Sequence, residues 1–224
     1  SPRVLSIGGR LGYTDAGDTP NTQTVIHDYQ PAPLIFETRG LPKAKKFQAK
    51  GWGKNMDNFR GSRIGVIVQC ENGYVVIPSY TGATAFDNEN NVIKKWQGGG
   101  NHYQNFLQAV EAQDASLLNA PIEEGHLSSA LCHTGGVSHQ LGVALPIEDI
   151  PTELNSESPL FQDSVKRMLQ HLKANEAGGN GRAEVVLGNQ ILMDPEMETV
   201  IDNSSAADRM SREYRKGFEV FEVS

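Results

Sequence analysis

The sequence predicts an α+β fold that contains a mainly antiparallel β-sheet. Strand-like runs fill residues 1–97, and the short turns between them imply antiparallel pairing, because parallel strands need long crossover connections. Helical patterns are confined to residues 98–224, and strands followed by helices favour α+β over α/β. The 224 residues, of which 38% are hydrophobic, are sufficient for a buried core within one domain.

The predicted strands are separated by residues that favour turns. Asn72-Gly73 is a strong hairpin signal, and residues 31–33 and 88–91 form similar connections. Residues 40–59 are polar and rich in cationic side chains, so we expect a surface insertion there. Strands are predicted over residues 3–10, 23–29, 34–39, 63–71, 74–80, 84–87 and 92–96.

The predicted helices rest on capping residues and apolar spacing. Asn101 is suited to cap a helix over residues 102–112, and Pro121 and Gly142 delimit a second helix. The buried stripe of that second helix is predicted to comprise Leu127, Leu131, Thr134, Ser138 and Leu141. Further predictions are a helix over 159–175, a loop over 178–181, a short helix over 206–212 and a strand over 218–223.

The composition disfavours several classes of function. The net charge is −7 and the densest cationic cluster, Lys43 to Lys46 with Lys50, is short, so we expect no nucleic-acid partner. No apolar run reaches the roughly 18 residues that span a bilayer, so we expect no membrane association. Cys70 and Cys132 lack a CxxC partner, and we expect both to be buried.

Three histidines of the second helix do not predict a metal site. His126 and His133 are two helical turns apart, roughly 10 Å, which is too far for one metal ion. We expect these two and His139 to hydrogen-bond at the border of the buried stripe. The alternative is that one of them lines a cleft.

A glycine-rich segment after the first strand does not fit a dinucleotide-binding loop. The run from Gly8 to Gly12 lacks the G-x-G spacing, since Ile7 occupies the position of the first glycine. A loop rich in Thr, Asp, Gly and Pro follows it in place of a helix. We interpret the segment as a tight strand exit and expect no cofactor site in this chain.

Two polar segments are candidates for binding a small, sugar-like molecule. The first is the loop that follows the first strand, whose carboxylates, amides and arginine could hold a polyol. The second is the start of the helix at 102, where outward-pointing N–H groups could bind a hydroxyl or anion. The alternatives are an ordinary Asx/Thr-rich turn and an ordinary helix cap. The candidate residues are Arg10, Tyr13, Asp18, Asn21, His102 and Tyr103.

Several segments together resemble the C-terminal domain of Gfo/Idh/MocA oxidoreductases. The longest is NAPIEEGHLSSALCH at 119–133, continuing as a helix to 142. Similar stretches are SIGGRLGY at 6–13, DTPNTQ at 18–23, LIFETRGLP at 34–42, GNHYQNF at 100–106 and REYRKGFEV at 212–220. The resemblance extends over nearly the whole chain.

The resemblance implies a division of labour between two domains. In this family an N-terminal Rossmann domain binds NAD or NADP and carries a Glu-Lys-Pro motif. The resemblance implies that this chain is an open, mainly antiparallel β-sheet with helices packed on one face, which contributes the substrate side and commonly mediates oligomerisation. We therefore expect residues 1–224 to be one substrate-side domain, and the chain to be a fragment, since it opens at Ser1 and contains neither that motif nor the glycine fingerprint. The family's catalytic histidine segment has no counterpart here either, so no catalytic role is transferred.

The expected function follows from this division. The chain would be the substrate-binding and oligomerisation domain of an NAD(P)-dependent dehydrogenase acting on a sugar or polyol derivative, inactive without its Rossmann domain. The alternatives are a stand-alone carbohydrate-binding or structural module and a relative of glycoside hydrolases. An open sheet face predicts a homo-oligomer, a dimer or higher. The sequence assigns no compartment.

Overall fold

The computed structural model describes residues 1–150, 154, 158–177 and 184–219. It confirms the α+β class, with antiparallel strands and four α-helices in the described part of the chain. None of the helices in these ranges is long and apolar enough to cross a membrane. The predicted loop at 178–181 and most of the predicted strand at 218–223 lie outside the described residues.

Seven strands of the first half lie close to their predicted positions, because Gly, Pro and Asn residues end each of them. They are β1 (Arg3–Gly9), β2 (Thr22–His27), β3 (Leu34–Arg39), β4 (Val66–Cys70), β5 (Gly73–Ser79), β6 (Gly82–Asp87) and β7 (Val92–Gln97). The helices α1 (His102–Ala112) and α2 (Ile122–Gln140) follow. Asn101 caps α1 as expected, since its side chain accepts a hydrogen bond from the Gln104 backbone N–H at 3.1 Å.

Four strands of the second half were not predicted. They are β8 (Val143–Pro146), β9 (Glu184–Leu187), β10 (Ile191–Asp194) and β11 (Thr199–Ile201). Two helices complete the fold, α3 (Pro159–Ala174) and α4 (Ser204–Ala207). The missed strands are only three or four residues long, which is too short for an alternating pattern to stand out.

The strands form two sheets rather than one. The larger sheet has seven strands, with β11-β10-β1-β2-β3 along one path and β9 and β8 branching from β1. The smaller sheet has the order β4-β5-β6-β7. The chain correspondingly forms two compact units, Ser1–Trp52 with Ser128–Ser224, and Gly53–Leu127. The first unit contains the larger sheet, and the second contains the smaller sheet and α1.

A hydroxyl group fills a break in the larger sheet beside β1. Strand β1 pairs with β10 at Arg3 and Val4 and with β9 at Ile7 and Gly8, which leaves a gap at its middle. Ser138 of α2 lies in that gap: its Oγ accepts the Ser6 N–H at 3.0 Å and donates to the Asn189 carbonyl oxygen at 2.7 Å. Ser6 and Ser138 are both fully buried, so the Ser6 N–H depends on this contact.

Helix α3 covers one face of the larger sheet. Its buried side chains recur at helical spacing and include Phe161, Val165, Met168 and Leu172. They pack in one cluster with Leu5, Ile7 and Ile26 of the two central strands. Burial of each of these side chains contributes roughly 1.5–3 kcal/mol.

Helices α2 and α4 cover the opposite face. Val4 points away from Leu5 because side chains alternate along a strand, and it packs with Val25, Val137 of α2 and Ala206 of α4. Gly135 permits the close approach of α2, since a Cβ there would lie 3.1 Å from the Val25 side chain. The prediction of helices on one face is therefore wrong for this sheet, which is covered on both.

Two further expectations differ from the structure. Cys70 and Cys132 are both exposed, because one ends the edge strand β4 and the other lies on the polar side of α2. In the predicted stripe of α2, Thr134 and Ser138 are buried, but Leu127 is 46% exposed. The stripe is buried only where α2 contacts the larger sheet.

Replacing Ser138 by Ala is expected to lower the free energy of unfolding by about 1–3 kcal/mol, because the buried Ser6 N–H loses its partner and the Asn189 carbonyl loses a hydrogen bond. Urea denaturation measures this difference. The exposed Ser205 gives a matched control, and Ser205→Ala is expected to be near neutral. Equal stability of the two variants would show that the stability of the sheet at this break does not depend on the Ser138 hydroxyl.

The buried His27 is expected to make the protein less stable as the pH falls. Burial, with a smaller effect from the N-terminal amine, lowers its pKa from 6.5 to about 4, and its Nδ1 has no hydrogen-bond partner among the described residues. The unfolded chain therefore binds the proton first, and stability is lost as the pH falls from about 6.5 towards about 4, by about 2–3 kcal/mol in total.

Urea denaturation at pH values across this window tests the role of His27. His27→Leu should flatten the pH dependence, whereas the control His133→Leu, at an exposed position of α2, should leave it unchanged. An unaltered pH dependence in His27→Leu would contradict the assignment.

Candidate functional site

The loop after β1 is held together by Arg10. Its guanidinium forms a two-pronged ion pair with the Asp15 carboxylate and donates to the Thr19 carbonyl at 3.0 Å. The Arg10 hydrogen bonds hold the pKa of Asp15 below its usual value. The candidate Arg10 thus has its donors engaged within its own loop.

Asn21 also stabilises the loop. It is 7% exposed, and its side chain accepts the Leu11 N–H at 3.1 Å and donates to the Leu11 carbonyl at 2.9 Å. This pair of bonds imitates a strand contact just before the start of β2. Asn21 therefore shapes the loop that presents its neighbours.

Two candidate residues of this loop remain accessible. Tyr13 is 39% exposed, and its ring lies edge-on to Trp52 with ring centres 5.7 Å apart. Asp18 is exposed at the tip of the loop. An aromatic edge with one carboxylate can contact a polyol, but the surface is small.

The glycine-rich segment from Gly8 to Gly12 ends strand β1 and does not form a nucleotide-binding loop. Strand β1 runs through the loop directly into the antiparallel β2, with Gly9 opposite Thr22. No helix begins in residues 10–21, so the segment lacks the N-terminal N–H groups that bind a pyrophosphate. A Cβ at Gly8 would lie 2.2 Å from the Thr22 carbonyl oxygen, so this glycine serves the contact between strands.

The other two candidates lie at the start of α1. His102 is the first helical residue, and its ring lies 4.1 Å from the Tyr103 ring, centre to centre. Tyr103 is 72% exposed. Both side chains are accessible to a ligand that approaches this end of the helix.

A recess of about 380 Å³ beside them is lined only by carboxamides. Its residues are Asn101, Gln104, Asn105, Gln108 and Asn119. We call these five residues the carboxamide recess. Residues four apart share one side of a helix, so Asn101, Gln104, Asn105 and Gln108 line the α1 wall of the recess.

Asn105 builds the recess. Its side chain donates to the Leu117 carbonyl at 2.7 Å and accepts the Asn119 N–H at 3.0 Å, which holds the segment after α1 against the helix. Within the described chain, no side-chain hydrogen bond engages the amides of Gln104, Gln108 or Asn119, and all three residues are exposed. The recess thus presents amides that are accessible to solvent.

The lining determines which ligands the recess favours. Each carboxamide offers one acceptor oxygen and two donor N–H groups, and a hydroxyl group is likewise both donor and acceptor. The five residues carry no charge, so they do not favour an anion over a neutral molecule. The arrangement suits a neutral ligand that carries several hydroxyl groups.

The histidines of α2 give no metal site. Among the residues that the structure describes, no group of three His, Cys, Asp or Glu residues could hold a metal ion. His126 and His133 are exposed, and His139 is half-buried, with burial lowering its pKa.

Sequence reasoning identified the helix end but missed the recess. The sequence does contain an amide-rich pattern with helical spacing: counted from Asn101, carboxamides recur three, four and seven residues later, at Gln104, Asn105 and Gln108. The fifth residue, Asn119, is brought in only by the two Asn105 hydrogen bonds, which the sequence does not show.

No protein-family model matches the chain, and no curated protein matches it significantly. Among solved structures, it is similar to the crystal structure of a "putative oxidoreductase" from Klebsiella pneumoniae, with 11% sequence identity and a TM-score of 0.35. The match covers 74% of this chain and 47% of that one, so the chain spans about half the length of the protein it matches. The family resemblance drawn from the sequence segments stays a prediction.

Proposed function

We propose that the chain is the substrate-binding and oligomerisation part of an NAD(P)-dependent oxidoreductase that acts on a sugar or polyol derivative. The class of enzyme rests on the sequence segments that resemble Gfo/Idh/MocA proteins. The class of ligand rests on the carboxamide recess, whose neutral, hydrogen-bonding lining complements several hydroxyl groups.

The exposed amides define the proposed contacts. Gln104 and Gln108 lie one turn apart on α1, and Asn119 faces the same recess from the following segment. Neighbouring hydroxyls of a polyol can each meet one of these amides. His102 and Tyr103 lie at the start of α1 but do not line the recess, so no contact with this ligand is assigned to them. Tyr13 and Asp18 form a separate surface in the other compact unit.

We assign the nicotinamide cofactor to a partner domain, because the glycine-rich exit of β1 does not fit it. The exit of β1 leads into an antiparallel strand, and the loop lacks the helix that would hold a pyrophosphate. We therefore derive no hydride-transfer step from this chain. Its own contribution is to bind and orient the hydroxyl-bearing substrate.

The double variant Gln104→Ala/Gln108→Ala should weaken binding of myo-inositol and D-glucose. Removal of two hydrogen-bonding groups predicts a loss of about tenfold or more in affinity, measured from NMR chemical shifts of the α1 amides during titration. The control Gln170→Ala removes an exposed amide from α3 and should bind as the unmodified chain does. Binding that is equal in all three proteins, or shifts that map outside α1, would contradict the recess as the site.

The proposed oligomer contact lies on the smaller sheet, because the larger sheet is covered on both faces. Paired strand residues share a face. The apolar residues on one side are Val66, Val68, Val75, Ile77, Ala83, Ala85 and Trp96. Lys94, which pairs with Ala85, lies at the β7 border of this side with its Nζ 5.1 Å from the Trp96 ring centre. None of the seven is buried, and Val66 is 52% exposed, Val68 46% and Trp96 44%. We call these residues the apolar face.

The opposite side of the smaller sheet is shielded within its own unit. Tyr74 and Val76 are 7% and 5% exposed, and the Arg60 guanidinium lies 3.6 Å from the centre of the Tyr74 ring. The apolar face, at about 4.8 Å between strands and about 3.4 Å per residue, covers roughly 300 Å². A standard interface buries about 800 Å² per partner, so this face alone predicts a weak dimer.

Val68→Lys should shift a concentration-dependent dimer towards monomer, because it places a charge among the apolar side chains on the β4 side of the apolar face. Sedimentation velocity measures the change. The control Ile122→Lys alters a residue that is 88% exposed and lies outside this face, and it should leave the equilibrium unchanged. An unmodified chain that stays monomeric at high concentration would contradict the proposal.

A further inference from the structure

Four lysines form a basic segment after β3. Residues 40–52 contain Lys43, Lys45, Lys46 and Lys50, and no Asp or Glu occurs from residue 38 to residue 56. All four lysines are exposed. Lys43 and Lys46 lie over the Phe47 ring at 5.2 and 5.1 Å, and no ion pair neutralises any of the four within the described chain.

Four carboxylates form an acidic segment at β10 and β11. Residues 194–202 contain Asp194, Glu196, Glu198 and Asp202, and no Lys or Arg occurs from residue 183 to residue 208. Asp194 holds the turn by accepting the backbone N–H groups of Glu196 and Met197 at 2.9 and 3.0 Å. Glu196, Glu198 and Asp202 are exposed.

The two segments lie at diagonally opposite corners of the larger sheet. Strands β3 and β11 are the two ends of the path β11-β10-β1-β2-β3. Arg39, which precedes the basic segment, pairs with Thr22, and Thr22 pairs with Gly9 at the end of β1. The basic segment therefore follows β3 at the end of the sheet where β1 ends. Asp194 is two residues beyond Leu192, which pairs with Arg3 at the start of β1. Both segments belong to the same compact unit.

The separation prevents the two segments from neutralising each other within one chain. Four strand spacings of about 4.8 Å and eight residues at about 3.4 Å each give a diagonal of roughly 30 Å. Charges interact over a Debye length of only about 8 Å at physiological ionic strength. The unit therefore carries a positive pole of four lysines and a negative pole of four carboxylates.

We propose that the basic segment of one chain docks on the acidic segment of a second copy, in a head-to-tail contact. The two poles match in number of charges. The remaining residues of the chain carry a net charge of −11, since the total is −7 and the basic segment adds four positive charges. A polyanion such as nucleic acid is repelled by that remainder, whereas a second copy supplies a localised acidic surface.

The contact is heterologous, because two different surfaces meet. It leaves one free pole at each end of a pair and therefore builds open chains or closed rings rather than two-fold dimers. It is electrostatic, so salt weakens it, whereas association through the apolar face does not require opposite charges. The inference goes beyond the proposed function and does not depend on it.

Charge reversal tests the contact in chains that all carry Val68→Lys, which removes association through the apolar face. Sedimentation velocity is measured in about 0.01 M and about 1 M NaCl, where the Debye length is about 30 Å and about 3 Å. The parent chain should associate at low salt and separate at high salt. K45E/K46E and E196K/E198K should each weaken self-association by about tenfold, since each pole is neutralised.

Mixing the two variants gives the decisive result. The K45E/K46E chain keeps its acidic pole and the E196K/E198K chain keeps its basic pole, so the mixture should form a 1:1 complex that cannot grow further. The control K166E/K173E makes the same change in charge on exposed positions of α3 and should associate as the parent does. Salt-independent association, an effect of only one variant, equal loss in the control, or no 1:1 complex would each overturn the proposal. Circular dichroism confirms that every variant is folded.

Discussion

The larger sheet depends on the hydroxyl group of Ser138. This sheet has a break beside its central strand, where β9 ends and β10 has not begun, and the buried Ser6 N–H and the Asn189 carbonyl face the gap. Ser138 satisfies both and thereby fixes α2 to β1, while Gly135 lets the helix approach closely enough to do so. The Ser138 hydroxyl, which both accepts and donates a hydrogen bond, thus connects the N-terminal strands to the C-terminal strands.

Local stabilisation and the two charged segments involve different groups. Amides stabilise local structure, as Asn21 does at the first loop and Asn105 does beside α1, together with ion pairs such as Arg10–Asp15. The basic and acidic segments instead lie at opposite corners of the larger sheet. The proposed ligand site uses neutral amides and the proposed head-to-tail contact uses the charged segments, so their binding strengths should respond differently to salt.

The sequence predicted the local elements well where turn chemistry is strong. Asn72-Gly73 and the glycines around the first strands delimit β1 to β7, and Asn101 sets the start of α1. The four strands from β8 to β11 were missed, because each is held by long-range pairing to β1 or its neighbours and has little pattern of its own. The division into two sheets also arises from long-range pairing.

The candidate site was predicted less well than the fold. Arg10 and Asn21 were chosen for their polar groups, but the structure shows those groups engaged within the loop. The recess was missed because Asn119 joins it through the fold, fourteen residues from Asn105. Sequence position showed which polar residues exist, whereas the hydrogen bonds show which of them stay available to a ligand.

The central claim is that this chain binds the substrate, while the cofactor belongs to a separate domain. The most direct test titrates the isolated chain with myo-inositol and with NADH in parallel, following backbone amide shifts and the oxidation of NADH in the presence of sugars. The account predicts polyol-dependent shifts in α1 and residue 119, no shifts in residues 8–12 with NADH, and no turnover. NADH binding at residues 8–12, or hydride transfer by the isolated chain, would contradict it.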